Sequence, residues 1–596
     1  MMVSDYIFEF LKKKGVDTAF LVTGGQAMYL NDALARCPEI KAICTHHEQS
    51  AGMSADAYSR ITGKLGVAVV TAGPGSINVM NGLVGGWTDS APMMIISGQS
   101  ALSCVEYQEK SGIRQFGIQG IYIKPFVEKA TKYFVTVDDP SKINYYMEKA
   151  YYLATTGRPG PVWIDVPLDI QRMQVPEKMQ SSFTPESKDF LLNSERISNV
   201  KQVCELLKES VRPLIVAGQG VRLSGARDSF VKLIEKLQIP VITSRLGLDL
   251  LESSHDLFVG HPGNYGDRAA NFAVQNADLI IAIGSRLATA TIGHDAKQFG
   301  KHAKIVVVDI DPKELIKPGI DVLLRIHDDA KSFIRELDAE MDSTDMKNHE
   351  EWKVQCQEWK NKYPVVLPEY SRETPINSYH FVDRLCEKTD KDYTVLVDTG
   401  SCFHVACQAW KIKKDQRFLT TGGLSSMGYW AAGIGACAAN NYKNTIVITG
   451  DGSLQMNIQE FATIKQNNLP IKVFVFNNNG YLLIRQTQRN FMEGRLFGEG
   501  PTSGVWCPDS LKIAEAYGIK GVRIDSLDDL DSKIEEVLTY DGPVICDVMT
   551  PEWQLIIPRV SSDKLPDGTL VSRKYEDMFP YLDAEEFKKN MISEVE

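Results

Sequence analysis

The chain has 596 residues, a formal net charge of −11 and 43% apolar residues, an ordinary composition for a globular protein. This length exceeds what one hydrophobic core supports and predicts about three domains. The acidic balance argues against nucleic-acid or membrane-surface binding, and no stretch has the length of a transmembrane helix or the pattern of a signal peptide. The eleven cysteines form no CxxC pair, which indicates reduced thiols in a cytoplasmic protein and argues against a zinc site.

The first predicted domain covers residues 1–175. An amphipathic helix opens it at residues 4–14. Apolar runs that predict strands follow at residues 19–22, 67–71, 93–96 and 162–165. Helical patterns lie between these runs, and such alternation is typical of an α/β domain with a parallel sheet flanked by helices.

Small and acidic residues follow the strands of this domain. Gly24 and Gly25 come after the first strand and Gly73 after the second, where a glycine lets a ligand approach the backbone. Glu48 stands at the start of a helix that runs towards Tyr58. Considered by itself, such an acid is an ordinary feature of a helix N-terminus, because it complements the helix macrodipole.

A polar, aperiodic stretch at residues 176–193 predicts a linker, and a middle domain at residues 190–345 follows it. The strands of this domain are predicted at residues 213–217, 240–243, 279–283 and 304–308. Their ends carry glycines or charged residues, which are Gly218, Gly220, Arg286 and Asp309. The pattern is that of a nucleotide-binding domain. A vestigial domain that binds nothing is the alternative.

The third predicted domain covers residues 365–550 and follows a charged connecting helix at residues 347–362. Its first strand, at residues 394–397, runs into Asp398-Thr399-Gly400. A glycine-rich loop at residues 422–428 precedes a helix of small residues. This domain is therefore also predicted to be a parallel sheet with functional residues in its loops.

Two polar clusters in the third domain follow neighbouring apolar runs. One run leads into Gly450-Asp451-Gly452, and the next leads into Asn477-Asn478. The carboxyl ends of parallel strands meet at one edge of a sheet, where ligands bind. Asp451, Asn478 and the Gly480 carbonyl, together with two diphosphate oxygens, suit the oxygen shell that Mg²⁺ prefers. The sequence therefore predicts a site for Mg²⁺ and a diphosphate.

The spacing of GDG and NN resembles the signature of thiamine diphosphate (ThDP) enzymes, and the resemblance extends over nearly the whole chain. It implies the ThDP-binding fold, with consecutive pyrimidine, middle and diphosphate domains. Glu48 matches the family carboxylate that contacts N1′ of the aminopyrimidine and promotes deprotonation of thiazolium C2. Met427 matches the apolar residue that props ThDP into its bent conformation.

The same resemblance implies further contacts with ThDP. Gly25 and Gln119 match residues beside the reacting carbon, and we expect a catalytic role for them as for Glu48 and Met427. The other cofactor contacts that it implies are Gly73, Pro74, Asn78, Gly400, His404, Ser425, Gly450, Gly452 and Ser453.

In the middle domain, the resemblance is to the flavin site of acetohydroxyacid (acetolactate) synthases. The matching positions are Arg158, Gly218, Gly220, Gly260, Arg286, Asp309, Ile310 and Asp328. We expect bound FAD with a structural role, since decarboxylation and carboligation move no electrons overall.

Overall similarity implies decarboxylation of a 2-keto acid, pyruvate, and transfer of the two-carbon unit to a carbonyl acceptor. Four acceptor-side residues of the synthases are replaced here, by Ile118, Leu168, Ala290 and Thr487. The synthase arginine for the acceptor carboxylate falls at Ala290, so we predict an acceptor without a carboxylate, a nucleotide-linked keto sugar of a polysaccharide pathway. The alternatives are acetolactate synthesis, an FAD-linked 2-keto acid oxidase and an inactive nucleotide-binding subunit.

The resemblance also implies a homodimer or homotetramer with active sites at the subunit interface. Glu48 of one subunit would meet Asp451 of the partner subunit. Helices at residues 51–58 and 429–439 are predicted to form much of that contact. The C-terminal tail, residues 551–596, is predicted to close over the site.

Overall fold

The computed structural model describes residues 1–177, 179, 182–185, 193–341, 347–564 and 566–592. It contains three six-stranded sheets, one in each predicted domain, and the strands of each sheet run parallel. Helices flank all three sheets, which confirms the predicted fold class. Much of the predicted linker, and both predicted limits of the middle domain (residues 190 and 345), lie outside the described residues.

The strands of the first sheet are β1 (Thr18–Leu21), β2 (Lys41–Cys44), β3 (Gly66–Val70), β4 (Met93–Gln99), β5 (Tyr133–Thr136) and β6 (Val162–Pro167). Their spatial order is β2-β1-β3-β4-β6-β5. The chain leaves β1 towards one side and β3 towards the other, so a crevice opens between the carboxyl ends of these two strands. Gly24 and Thr71 follow these ends.

The strands of the middle sheet are β7 (Pro213–Ala217), β8 (Val241–Thr243), β9 (Phe258–Gly260), β10 (Leu279–Ile283), β11 (Lys304–Asp309) and β12 (Val322–His327). Their spatial order is β9-β8-β7-β10-β11-β12. This is the strand order of dinucleotide-binding domains, in which the ligand lies where the order reverses, between the first and fourth strands. In this chain Gly218 and Gly284 follow those two strands.

The strands of the third sheet are β13 (Thr394–Val397), β14 (Phe418–Thr420), β15 (Thr445–Gly450), β16 (Ile471–Asn477), β17 (Lys520–Ile524) and β18 (Val544–Met549). Their order is β14-β13-β15-β16-β18-β17, the same arrangement as in the first sheet. The crevice therefore lies between β13 and β15. Asp398 and Asp451 directly follow these strands.

The helices of the first domain are α1 (Val3–Lys13), α2 (Met28–Ala35), α3 (Glu48–Thr62), α4 (Pro74–Asn78), α5 (Met80–Asp89), α6 (Leu102–Ser111), α7 (Lys124–Val127), α8 (Ile143–Thr155) and α9 (Leu168–Gln171). Those of the middle domain are α10 (Asn193–Glu209), α11 (Gln219–Leu223), α12 (Arg227–Leu237), α13 (Arg268–Asn276), α14 (Thr289–Ile292) and α15 (Ala330–Met341). The predicted connecting helix is present as α16 (Glu350–Lys362).

The third domain contains α17 (Ser378–Lys388), α18 (Ser401–Ala409), α19 (Gly433–Ala439), α20 (Asp451–Leu454), α21 (Glu460–Gln466), α22 (Leu482–Phe491), α23 (Ser510–Ala516) and α24 (Leu530–Thr539). Among the described helices, none combines the length and the apolarity that a membrane crossing requires.

Helix α3 of the first domain packs against α19 of the third domain within the same chain. The backbones are so close that a Cβ at Gly435 would overlap the Ser54 carbonyl oxygen. Residues 51–58 are buried, as are Tyr429 and all of α19 except Ala439. The prediction that these helices form the subunit contact is therefore wrong, because helices already buried within one chain have little surface left for another.

The tail forms the short strands β19 (Arg559–Val560), β20 (Ser562–Lys564), β21 (Leu570–Ser572) and β22 (Met578–Phe579) and helix α25 (Ala584–Lys589). Its first residues lie against the third domain, where Asn479 Nδ2, in the loop after β16, donates to Glu552 Oε1 at 2.8 Å and Ser378 N donates to Gln554 Oε1 at 2.9 Å. Its later residues lie against α13. Closure of the tail over the site stays a prediction. Asn271 Nδ2 donates to the Tyr575 carbonyl at 2.9 Å, and Asn276 Nδ2 donates to the Asn590 carbonyl at 2.8 Å. Buried amide side chains need such partners, and this requirement holds the tail on the middle domain.

The contact between α3 and α19 can be tested at Gly435. Gly435→Ala should destabilise the chain by about 1–3 kcal/mol, since overpacking forces the two backbones apart. The shift of the urea unfolding midpoint measures this loss. The matched control is Gly85→Ala in α5, where a Cβ would meet no atom within 4 Å. Equal midpoints for the two variants would contradict the packing described here.

Candidate active site

Asp398 joins the two strand ends that border the crevice of the third domain. Its carboxylate accepts hydrogen bonds from Thr449 Oγ1 at 2.8 Å and from Ser453 Oγ at 2.5 Å. The side chain is buried, and burial raises the pKa of Asp398 to about 6. The residue was recognised in the sequence only as part of the loop after β13, and the structure gives it the role of holding the turn from β15 to α20.

Asp451 and Asn478 lie at the ends of the adjacent strands β15 and β16, as the motif predicts. Asp451 Oδ1 accepts from Gly452 N at 2.8 Å and Oδ2 from Gly480 N at 3.0 Å. Burial raises the pKa of Asp451 to about 6. Asn478 is 4% exposed, and its Oδ1 is buried without a hydrogen-bond partner. A buried carboxylate beside an unsatisfied amide oxygen is a donor set that fits Mg²⁺.

The loop that carries these groups is held by Arg485, which sequence reasoning missed. Its guanidinium donates to the carbonyls of Asn478 at 3.3 Å and Asn479 at 3.0 Å, and it pairs with Glu499. Gly480 has φ 130°, and a Cβ there would overlap the Glu499 carbonyl. Glycine is therefore required at this position. An arginine on a helix gives no sign in the sequence that it binds backbone carbonyls several residues away.

The predicted prop, Met427, lies in the loop between β14 and α19 and is half-buried. Next to it, Gly428 N donates to Ser453 Oγ at 2.8 Å, which places this loop beside the turn that carries Gly450 and Gly452. Ser425 is exposed and has φ 52°. The Met427 loop thus borders the same crevice as the predicted metal ligands.

Gly400 and His404 border the crevice from the side of β13. Gly400 has φ 95°, and a Cβ there would meet no atom within 4 Å, so space is free beside it. The His404 ring packs against Tyr265 of the middle domain with centroids 4.1 Å apart. Burial lowers the pKa of His404 to about 3, so the imidazole is neutral at physiological pH, and its Nδ1 is buried without a partner.

In the first domain, Glu48 opens α3 and accepts a hydrogen bond from Asn78 Nδ2 at 3.0 Å. A Cβ at Gly75 would lie 3.2 Å from Glu48 Oε1, so the loop after β3 passes close to the carboxylate. Glu48 is 8% exposed. The structure therefore brings together Glu48 and the predicted pyrimidine loop.

Gly25, Gly73, Pro74 and Gln119 lie around the same crevice. A Cβ at Gly73 would stand 2.7 Å from the Gln119 carbonyl oxygen, and Pro74 begins α4. No atom lies within 4 Å of a Cβ at Gly25. Gln119 has φ 58° and is exposed. Gly25 therefore borders open space after β1, and Gly73 packs against Gln119 after β3.

The two predicted halves of the site lie on different domains, Glu48 on the first and Asp451 and Asn478 on the third. Among the described residues, no hydrogen bond or ion pair joins Glu48 to Asp451, Asn478 or Gly480. The chain thus presents a pyrimidine-type half on the first domain and a diphosphate-type half on the third.

A cavity opens at the point where the strand order of the middle sheet reverses. It encloses about 1040 Å³ of unfilled space, including its open mouth. Five predicted flavin positions line it, namely Arg158, Gly220, Arg286, Asp309 and Ile310. Gly218 packs against the backbone of Gly284, which also lines the cavity.

The polar groups of this cavity suit a nucleotide. Burial raises the pKa of Asp309 to about 6, and Ser285 Oγ is buried without a hydrogen-bond partner. A Cβ at Gly220 would stand 2.7 Å from Gly284 Cα, so the glycines let the backbone loops converge. Arg158 already binds Asp311 at 2.9 Å and Glu314 at 2.8 Å, and its charge is therefore largely compensated.

Two predicted flavin positions do not line this cavity. Asp328 is fully buried, and both its carboxylate oxygens accept from Arg196, at 2.7 and 2.9 Å, while the next residue, Asp329, faces the cavity. Gly260 lies against Asp267 and lines a different cleft. The structure does not bring these two residues to the cavity, because a buried ion pair occupies the Asp328 side chain and Gly260 lies at the end of the edge strand β9.

Other lining residues come from outside the middle domain and were missed. They are Thr88, Asp89, Ser90, Gly157 and Pro159 of the first domain and Gly422 of the third domain. The cavity is therefore formed where three domains meet, which no local sequence pattern reveals.

Three family models match the chain. They are the thiamine pyrophosphate enzyme N-terminal TPP binding domain over residues 1–118, the central domain over residues 200–337 and the C-terminal TPP binding domain over residues 398–548. The acetolactate synthase large subunit of Lactococcus lactis is 33% identical over 94% of both chains. The chain belongs to the thiamine diphosphate-dependent, acetolactate synthase-like enzymes.

Further relatives of this acetolactate synthase-like enzyme come from distant organisms. The probable acetolactate synthase large subunit of Methanocaldococcus jannaschii is 32% identical over 92% of both chains. The chloroplastic acetolactate synthase of Arabidopsis thaliana is 31% identical over 94% of this chain and 83% of its own length. Similarity over most of the chain confirms the family recognised in the sequence.

The proposed metal ligand of this acetolactate synthase-like enzyme can be tested at Asp451. Asp451→Ala removes the charged oxygen and should weaken Mg²⁺-dependent ThDP binding by roughly 10- to 100-fold. Fluorescence titration of the apoprotein with ThDP at fixed Mg²⁺ measures the change. Asp525→Ala, at an exposed acid of the same domain, is the control. Tight ThDP binding by the Asp451 variant would refute the assignment.

Proposed function

We propose that this enzyme decarboxylates pyruvate and transfers the two-carbon unit to a second carbonyl compound, with acetolactate as the product when the acceptor is pyruvate. The observation that carries this proposal is the placement of Glu48 and of the Asp451–Asn478 pair at equivalent crevices of two sheets with the same strand order. Relatives named acetolactate synthases over most of the chain support it.

ThDP, when bound, supplies an acidic thiazolium carbon and an electron sink for decarboxylation. In this chemistry, the residues of the chain position the cofactor and hold protons. Glu48, fixed by Asn78, would exchange a proton at N1′ of the aminopyrimidine. Met427 would support the bent cofactor from the third domain. Asp451, Asn478 and the Gly480 carbonyl would hold Mg²⁺ against the diphosphate.

We also propose FAD in the cavity of the middle domain. The strand order, the converging glycines and the unsatisfied Ser285 hydroxyl support a dinucleotide. Asp309, which lines the cavity, would accept hydrogen bonds from hydroxyl groups of such a ligand. The proposed reaction needs no net electron transfer, so the flavin would be structural and an oxidase stays the less favoured alternative.

The proposed active site needs two copies of the chain. Large apolar side chains are exposed near the first half-site, with Ile118 77% and Phe126 58% exposed, and in the third domain, with Phe497 82% and Trp506 74% exposed. Exposed apolar groups of this size favour association. We therefore propose a homodimer or a larger homo-oligomer in which Glu48 of one subunit faces Asp451 of the partner subunit.

The sequence and the relatives favour different acceptor compounds. The relatives favour acetolactate synthesis, and none of them supports a nucleotide-linked keto sugar. The second candidate rests on the substituted positions. Ala290 carries no charge and lies at the cavity proposed for FAD, and Thr487 is exposed on α22 with its hydroxyl donating to the Leu483 carbonyl. A carboxylate-free acceptor such as a keto sugar therefore stays the alternative to a second pyruvate.

The role of Glu48 is tested by Glu48→Gln. The amide retains an oxygen for Asn78 but cannot exchange a proton, so kcat should fall roughly 100-fold or more while ThDP still binds. Steady-state assays with pyruvate and ThDP titrations measure the two effects. Mixing inactive Glu48→Gln and Asp451→Ala chains should restore partial activity through hybrid dimers with one intact site. Activity near that of the unmodified chain in Glu48→Gln would rule this residue out.

The flavin site predicts that the purified protein is yellow and that its FAD is not reduced during turnover. Arg286→Gln should raise the FAD dissociation constant roughly tenfold, since it removes a cationic donor from the cavity. Arg335→Gln, at an exposed arginine on α15, should leave it unchanged. Equilibrium dialysis measures FAD binding. A colourless protein that binds no added FAD contradicts the proposal, and reduction of the flavin by pyruvate identifies an oxidase.

The acceptor is identified from products of the Mg²⁺–ThDP enzyme. With pyruvate alone, mass spectrometry should detect acetolactate. Ala290→Arg should lower the KM for acceptor pyruvate roughly tenfold, because a charged hydrogen bond contributes about 1.5–3 kcal/mol. If acetolactate does not form and a nucleotide-linked keto sugar is consumed with pyruvate, the second candidate is correct and the first is wrong.

A further inference from the structure

The loop that carries Ser425 and Met427 is held from outside its own domain. It connects β14 to α19, and Leu424 at its tip is 39% exposed. A glycine-rich, exposed loop loses much conformational entropy when it is fixed in one arrangement. Contacts that fix it therefore influence any ligand that it must support.

Asp89, the last residue of α5, makes the first of these contacts. Its two carboxylate oxygens accept from successive backbone amides, Gly422 N at 2.9 Å and Gly423 N at 2.7 Å. The Asp89 side chain is 2% exposed. A carboxylate that accepts two backbone N–H groups in a buried place forms strong, directional hydrogen bonds.

Arg60 extends this contact to both ends of the loop. It lies 3.3 Å from Asp89 and donates to the Thr420 carbonyl at 2.8 Å and to Tyr429 Oη at 3.2 Å. Tyr429 Oη in turn donates to Asp56 Oδ2. The first domain thus binds the loop before Gly422 and after Gly428.

The middle of the loop has partners on both sides. Ser426 Oγ donates to Asn81 Oδ1 of α5 at 2.8 Å. The Gly428 carbonyl accepts from Asn457 Nδ2 at 2.9 Å. The loop is therefore held between the first domain and the turn that follows Asp451, and Met427 lies between these anchors.

We propose that Asp89 is a positioning residue for ThDP: by holding the Gly422 and Gly423 amides, it fixes the loop that presents Ser425 and Met427 to the cofactor. The inference rests on the proposed ThDP site. Asp89 acts through the loop backbone and does not itself take part in the chemistry. An asparagine at this position cannot replace it, since its Nδ2 would face an amide N–H or Arg60, and donors do not pair with donors.

The loop contact is tested without any cofactor. Hydrogen–deuterium exchange of the apoprotein, read by mass spectrometry with fragmentation, should show the Gly422 and Gly423 amides exchanging at least about 100-fold more slowly than Leu424. In Asp89→Asn the two glycine amides should approach the rate of Leu424. If they exchange as fast as Leu424 in the unmodified chain, the contact does not hold the loop and the proposal is wrong. The exchange rates of the unmodified chain test the contact even if the variant folds poorly.

The effect on the cofactor is tested by ThDP titration at saturating Mg²⁺. Asp89→Asn should raise the ThDP dissociation constant at least about tenfold and leave the KM for pyruvate within about twofold. General loss of fold would lower the active fraction without changing either constant. Asp249→Asn is the matched control, because Asp249 is also a buried acid that accepts from arginines and one backbone amide, Phe418 N. None of these partners lies in the loop at residues 421–428. It should retain the ThDP affinity of the unmodified chain.

The outcomes separate this inference from the proposed function. Faster exchange together with weaker ThDP binding in Asp89→Asn supports the positioning role. Faster exchange with unchanged ThDP affinity overturns it, and so does an equal loss of affinity in Asp249→Asn. If the unmodified chain binds no ThDP, the proposed function fails, and the role of Asp89 for ThDP fails with it, whatever the exchange rates are.

Discussion

The close contact between α3 and α19 is the constraint on which the arrangement of the chain depends. Gly435 allows the α19 backbone to lie against the Ser54 carbonyl, and burial of this small-residue surface fixes the first domain against the third. The same contact buries Arg60 among Asp56, Asp89 and Tyr429. Charges in such a place are stable only when each has a partner. The partners therefore have to come from both domains, and they determine where the loop at residues 420–429 lies.

The two outer sheets put polar residues at equivalent places because they share one strand order. A crevice forms wherever neighbouring parallel strands send their connections to opposite faces. In the first sheet it receives Glu48 and the loop after β3, and in the third it receives Asp398 and Asp451. The middle sheet has a different order and borders a nucleotide-type cavity, which residues of the two outer domains help to line.

The sequence predicted most of the interior strands and missed the edges. The eleven predicted runs all correspond to interior strands. The strands β2, β5, β9, β12, β14 and β17, which all lie at sheet edges, were not predicted. Edge strands are covered on fewer sides, so their sequences are shorter or less apolar; in β12, for example, Leu323 is 57% exposed. The interior strand β18 was also missed, because Asp547 interrupts its apolar run.

The sequence by itself determined the family and the fold class, and it predicted the residues of both half-sites. These residues directly follow buried strands or open helices, so chain connectivity alone places Glu48, Asp451 and Asn478 at sheet edges. Only the tertiary structure decided which groups hold them. Asp89 accepts a hydrogen bond from Gly422 N, 333 residues away in the sequence. Asp328 pairs with Arg196 and does not line the cavity. Such partners are selected by packing between domains, since a buried charge binds the nearest complementary group in space, whatever its distance along the chain.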